Sequence, residues 1–412
     1  MLAADLVRLW KGAMRISKTS VLLALMVTVT SFNLRTIAVA IGPVLPSIQD
    51  ELGMSQTMGG LLTSLPTLCF ALFGFLAGRI SGLLGLHRAI LVALIVNIGG
   101  QAARNVSDST VGFMLATCVA LAGIGVINVL LPPLVKRHFP ARSGLVTSLY
   151  TTGQSIGLTM ASLYTAPLAI SLGSWRGAFW VWVATTALAL PLIIWSMLRF
   201  RDWSGGSRTR ISLAAVARTR LGWMMAVFFG MQSAQAYGQF GWLPSIYQSA
   251  GFTPIQAGNF LAIVAGIGIP FSFIIPNLTM RMKNPAPLVV ALAVCGSIGY
   301  GGLIWNPTVL PWLWPVFLAI AGSFFPMILV LFSRHASTPA GTAALSSFSQ
   351  GIGYVLACIG PFLLGALKDA TGSFLWPIWI QLLMFVPLTI CGLIAIGSGT
   401  IEDELEATAS GQ

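Results

Sequence analysis

The sequence predicts an all-α membrane protein with twelve transmembrane helices in two six-helix halves. Three observations predict it: scarce charge, a regular series of apolar runs, and motifs that repeat at a near-constant offset. Of 412 residues, 56% are hydrophobic and only 8% charged, and the mean hydropathy is +0.87. A soluble domain carries about 25% charged residues. So few charges cannot cover a water-facing surface, whereas the coat of a helical bundle faces lipid and needs none. The net charge of +12 does not indicate nucleic acid, because the basic residues sit in short loops with no continuous basic face.

A spanning helix needs roughly 20 apolar residues. Twelve runs qualify: 20–47, 56–78, 87–105, 111–135, 142–170, 176–199, 219–247, 255–279, 286–305, 311–333, 342–367 and 375–398. Residues 1–19 mix Arg8, Lys11, Arg15 and Lys18 with Leu2, Leu6, Leu9 and Trp10, the pattern of an amphipathic segment on a membrane surface. Of the 22 Lys and Arg residues, all but Arg35, Arg104, Arg176 and Lys368 fall on one side of this topology. The positive-inside rule then places both termini in the cytoplasm, in a cytoplasmic (inner) membrane. The expected organisation is a cytoplasmic segment (1–19), a six-helix half (20–200), a cytoplasmic linker (201–218), a second six-helix half (219–398) and an acidic, mobile cytoplasmic tail (399–412).

The halves repeat. "LPSI" occurs at 45–48 and at 243–246, an offset of 198 that also aligns "GMSQTMGG" (53–60) with "GFTPIQAG" (251–258). "KRH" (136–138) meets "SRH" (333–335) at 197, and "TGQSIG" (152–157) meets "FSQGIG" (348–353) at 196. Two parallel six-helix halves resemble the architecture of the major facilitator superfamily, in which substrate sits near the midplane between halves.

Charge inside the spans is nearly absent. None of the ten carboxylates lies at mid-span, and His87, His138 and His335 sit at cytoplasmic helix ends. Arg35 is the exception, close to the centre of the first span. A guanidinium stays charged there, and a central arginine costs roughly 2.5–3.5 kcal/mol to insert, so it must face the interior or a wet cavity. Backbone and side-chain oxygens could satisfy it structurally. The reading adopted is that it binds an anionic or strongly acceptor-bearing substrate, since no carboxylate is at hand to pair with it. Its planar fork suits groups with two coplanar oxygens.

Other polar residues could line the same space: Asn33 on the first span, Asn128 on the fourth, Gln154 and its repeat mate Gln350, Tyr354 one turn further, and Gln232, Gln235 and Tyr237 on the seventh. Each amide could equally bond helix to helix, as amides do in membranes. Most tryptophans suit interfacial belts, Trp175, Trp182 and Trp314 among them, and Trp242 is read as an interface anchor. The five cysteines lie in apolar runs without a CxxC and read as buried thiols, neither disulfides nor metal ligands. No Walker, metal or other enzyme motif occurs, so the chain is expected to be no enzyme, to need no cofactor or metal, and to drive transport without ATP.

Several segments resemble the cyanate permease and 2-nitroimidazole transporter (CynX/NimT) family: "FNLR" followed by "GPVLPSI", "NVLLPPLVKRHFP" (128–140), "MQSAQAYGQFGWLPSI" (231–246) and "SQGIGYVLACIGPFLLG" (349–365). The resemblance implies transport of small anions or compact polar organic molecules, and it maps Arg35, Asn128, Gln232, Tyr237 and Gln350 onto patterned positions of the family. One departure is "GFLAGRISGLLGLHR" (74–88), where Gly78 stands in place of the superfamily's acid. An inter-half latch through that acid is therefore not expected.

The first reading is a secondary transporter of a small anion, cyanate-like or organic, working by alternating access with Arg35 as the anion-binding residue. A proton or other ion could be co-transported. The second is a transporter or exporter of neutral polar drugs such as nitroimidazoles. A non-transporting receptor on the same frame is a third. The expected partners are the substrate and the lipid bilayer, with no nucleic acid, and the expected state is a monomer.

Overall fold

The computed structural model describes residues 18–139, 143–200 and 211–410. Residues 1–17 of the amphipathic segment, residues 201–210 of the linker and the last two residues of the tail lie outside the described residues. Elsewhere the chain is helical. The first span comprises α1 (Lys18–Val39), a 3-10 turn (Gly42–Val44) and α2 (Leu45–Leu52). α3 (Gln56–Leu84), α4 (Leu86–Asn105), α5 (Thr110–His138) and α6 (Ser143–Ser171) follow, and α7 (Trp175–Ala187) with α8 (Leu190–Arg199) makes the sixth span. After the short α9 (Leu213–Val216) come α10 (Arg220–Ser249), α11 (Pro254–Arg281) and α12 (Ala286–Trp305). The tenth span is split into α13 (Leu313–Ala321) and α14 (Phe324–Arg334), α15 (Pro339–Thr371) is the eleventh, and α16 (Leu375–Leu383) with α17 (Phe385–Gly397) is the twelfth. Among the described residues, ten segments are long and apolar enough to cross a membrane. α6 and α10 are equally long but are interrupted by the glutamines considered below.

The four split spans were expected to be continuous, and proline explains each. A proline lacks the N–H that bonds four residues back, and its ring crowds that carbonyl. Pro43, Pro191, Pro326 and Pro387 place this defect at Val39, Ala187, Gly322 and Leu383, where α1, α7, α13 and α16 end or have just ended. Pro66, Pro167, Pro244 and Pro361 are accommodated within continuous helices.

The repeat is visible in backbone detail. Gly53 (φ 63°) and its mate Gly251 (φ 94°) both adopt the left-handed conformation that favours glycine. Two residues on, Ser55 and its mate Thr253 cap the next helix, accepting from the N–H of Met58 and of Gln256. The same turn and cap therefore start the second helix of each half.

Within the halves α1 packs on α6, α4 on α5 and α10 on α15; between them α3 packs on α15 and α6 on α11. The inter-half seams rely on glycine. A Cβ on Gly60 of α3 would lie 2.8 Å from the Pro361 carbonyl oxygen and 2.9 Å from that of Phe362. At the same end Asp369 of α15 accepts from the backbone N–H of Gln56 (3.0 Å) and Thr57 (2.7 Å), and Gln248 donates to the Pro43 carbonyl (3.5 Å). Gly78 has open space around it.

Three expectations are corrected. The acidic tail is not free: α18 (Ile401–Ser410) docks on the second half. Ile401 is fully buried, Glu402 accepts from the N–H groups of Ser337 (2.9 Å) and Thr338 (3.0 Å) at the start of α15, and Glu404 accepts from the N–H of Leu221 (3.0 Å) at the start of α10. The carboxylates thus satisfy orphan donors at helix N-termini, which also favour negative charge. Second, Trp175, Trp182 and Trp314 are buried against neighbouring helices and are not exposed on the outer surface of the bundle. Third, Trp242 is fully buried, donating to the Pro361 carbonyl (3.1 Å).

Candidate functional site

Arg35 sits where α1 must be held firmly, and the residue that holds it is Asn33. Its amide donates to the carbonyls of Val29 (3.1 Å) and Thr185 (3.3 Å) and accepts from the hydroxyls of Thr185 (3.0 Å) and Thr186 (3.1 Å) on α7. Gln101 of α4 donates to the same Thr186 hydroxyl (3.1 Å). Two residues along a helix is a rotation of about 200°. Anchoring Asn33 to α7 therefore turns Arg35 the opposite way, into the interior.

There Arg35 lines a cavity of about 200 Å³ between the halves, together with Gln154, Gln232, Gln235, Tyr237 and Tyr354. Its Nη1 donates to the Tyr237 hydroxyl at 3.5 Å, and its guanidinium carbon lies 5.9 Å from the Tyr237 ring centre and 5.2 Å from that of Phe325. Aromatic faces attract a cation at these distances. Tyr237 and Tyr354 are themselves buttressed by rings: Phe70 packs edge-on to both, and Phe229 packs edge-on to Tyr354 at 5.0 Å. No carboxylate among the described residues forms an ion pair with Arg35; the ion pairs join Arg176 to Glu51 and Asp108. The site is thus a fixed cation held by rings, with the cation on one half and Tyr237, Phe325 and Tyr354 on the other.

The structure does not bring every candidate to this wall. Asn33 is 5% exposed and spent on α7, as described. Asn128 lies off the lining, and its Oδ1 accepts from the Tyr150 hydroxyl (3.1 Å). Gln350 also lies off the lining and donates to the Ser346 hydroxyl (2.6 Å), so the repeat mates Gln154 and Gln350 differ in place. Elsewhere on α10, Gln239 donates to the Tyr300 hydroxyl (3.0 Å), and Gln232 accepts from Ser233 (3.3 Å).

Phe325 and Ser323 reach the cavity without having been singled out in the sequence. The signal was present in "GSFFP" (322–326), where the proline forces a break at Gly322. Among the described residues, no three His, Cys, Asp or Glu side chains converge as metal ligands, and the five cysteines are unpaired.

Comparisons with known proteins bear on the family and the fold. Residues 21–361 match the family model described as Major Facilitator Superfamily. The chain is 34% identical over 374 residues to the uncharacterized transporter YycB of Bacillus subtilis (strain 168), covering 90% of this chain and 91% of the relative. It is 29% identical over 387 residues to the 2-nitroimidazole transporter of Escherichia coli (strain K12), covering 92% and 96%, and 26% identical over 373 residues to the cyanate transport protein CynX of the same organism, covering 90% and 95%. Among solved structures, a bacterial homologue of the human lysosomal transporter Spinster, in an inward-facing and occupied conformation, superposes with a TM-score of 0.75 at 15% identity. The match covers 93% of this chain and 97% of that one.

Proposed function

Because the chain belongs to the major facilitator superfamily, we propose that it is a secondary transporter that moves a small anion across the cytoplasmic membrane by alternating access. Arg35 holds the negative group. One observation carries this reading: a permanently charged side chain lines the central cavity with rings around it and, among the described residues, no carboxylate paired to it. The alternative of a structural arginine is weakened because its hydrogen bond to the Tyr237 hydroxyl is long, 3.5 Å. Two relatives that match over most of the chain are named for cyanate and for 2-nitroimidazole. A guanidinium accommodates both a small anion and the paired oxygens of a nitro group.

The seams at the Asp369 end fit an inward-facing state, with both termini cytoplasmic. Moving one negative charge inward costs about 2.3 kcal/mol per 100 mV of membrane potential. No carboxylate in the sequence lies at mid-span to carry a compensating proton. Import therefore needs a proton carried on the substrate, another ion, or an exchanged anion; export needs none.

Uptake of cyanate and of small organic anions into proteoliposomes tests this. Arg35→Ala and Arg35→Lys are expected to lose most of it, and wild-type uptake by both would remove Arg35 from the site. The second reading, a neutral nitro compound, predicts instead a flux that does not respond to an imposed potential.

A further inference from the structure

The cavity has polar lining besides the guanidinium. The tenth span is broken between α13 and α14, and both residues of the break, Gly322 and Ser323, line the cavity. Ser323 is 3% exposed, and its hydroxyl has no partner in the protein. On α10, Gln235 is 4% exposed and lines the same cavity, and its Nε2 likewise has no acceptor. Buried polar groups in folded proteins are nearly always paired, so two orphans on one cavity wall call for a ligand. The neighbouring glutamines do not share this condition, since Gln232 and Gln239 each have a side-chain partner. The start of α14 adds the positive end of an eleven-residue helix. Broken helices in transporters present such ends to substrate oxygens.

Size and lining narrow the ligand. The cavity of about 200 Å³ has room for several water-sized molecules. A three-atom anion would leave most of that space to solvent. Tyr237, Phe325 and Tyr354 offer flat apolar faces beside the cation.

We infer that Gln235 and Ser323 form a second subsite that hydrogen-bonds a second oxygen of the substrate. The preferred substrate is then a compact, flat organic monoanion: its charged group at Arg35, an apolar body among the rings, and a second hydrogen-bonding oxygen (hydroxyl, carbonyl or nitro) at Gln235 and Ser323. This rests on the anion-binding reading of Arg35.

The test measures binding of benzoate, 4-hydroxybenzoate and 4-nitrobenzoate to the purified full-length protein, with cyanate as the small reference anion. The variants are Arg35→Ala, Gln235→Met and Ser323→Ala, the last two serving as independent probes. Wild type is expected to bind the substituted benzoates roughly five- to tenfold more tightly than benzoate, the range of one or two hydrogen bonds. Gln235→Met and Ser323→Ala should each weaken the substituted benzoates more than benzoate and so shrink that preference. Equal wild-type affinities across the series, equal losses for all three benzoates in both variants, or binding of cyanate but no benzoate would each overturn the second subsite. Wild-type binding of the whole series by Arg35→Ala would instead overturn the anion reading, which keeps the two failures distinct.

Discussion

Asp369, on the second half, caps a helix of the first: its carboxylate accepts the N–H of Thr57 at 2.7 Å and of Gln56 at 3.0 Å, and the Thr57 hydroxyl as well. A negative group at a helix N-terminus satisfies orphan donors and complements the helix dipole. Removing a cap costs about 1 kcal/mol, roughly a fivefold change in a two-state equilibrium. Asp369→Ala is therefore expected to favour separation of the halves at this end by a few-fold, with Asp369→Asn between it and wild type. The measurement is labelling of Phe240→Cys, in a background lacking the native cysteines, by an impermeant thiol reagent added from the Asp369 side. Unchanged labelling rates would remove Asp369 as a latch.

Two glycines separate folding from motion. A Cβ on Gly157 would collide with the Phe32 carbonyl of its own half, whereas one on Gly42 would collide with the Phe240 carbonyl of the other half. Overpacking costs about 1–3 kcal/mol. Gly157→Val is expected to lower the melting temperature and yield of the purified protein. Gly42→Val should keep both close to wild type and lose transport in both directions. A common loss of stability in the two variants would contradict the assignment.

Phe325 lies 5.2 Å from the Arg35 guanidinium carbon. A cation–π contact is worth about 0.5–2 kcal/mol, so Phe325→Leu is expected to weaken binding of an anionic ligand by about three- to tenfold through a less constrained guanidinium. Isothermal titration with the tightest-binding anion checks this, and an unchanged dissociation constant would mean that the ring does not position Arg35.

Burial raises the Glu402 carboxyl, but hydrogen bonds from the Thr338 hydroxyl and from the Ser337 and Thr338 N–H groups outweigh it and hold it at about 2. A depressed carboxyl contributes stability that is present above its unfolded value, about 4.3, and that fades as pH falls toward the folded value. The melting-temperature difference between wild type and Glu402→Gln is expected to be constant above about pH 5 and to shrink between about pH 4.3 and 2. A difference that grows on acidification would reverse the sign and exclude this role.

The spans, their number and the duplication were legible because period and offset are properties of the whole chain: the turn at Gly53 and the cap at Ser55 recur at Gly251 and Thr253 as aligned text. The cavity wall was legible where a residue's charge forced its direction, as with Arg35. It was not legible for the amides, because an amide is equally at home between helices. Asn33 illustrates this: two residues from Arg35, it faces the other way and serves α7. Phe325 was missed because one phenylalanine among 23 carries no mark until the proline break beside it is counted. The tail was misread because its acidity suggests solvation, whereas Glu402 and Glu404 find helix N-termini that are distant in sequence.

Gly42 and Phe240 are equivalent positions of the two repeats, and they meet backbone to backbone at the cavity, which Phe240 lines. No side chain of Gly42 interlocks there, so in the proposed alternating-access cycle the contact would serve as a bearing for one half against the other. Asp369 latches the halves at the same end. Roughening the bearing should slow both directions of rocking alike, whereas loosening Asp369 should change how long the carrier dwells on one side.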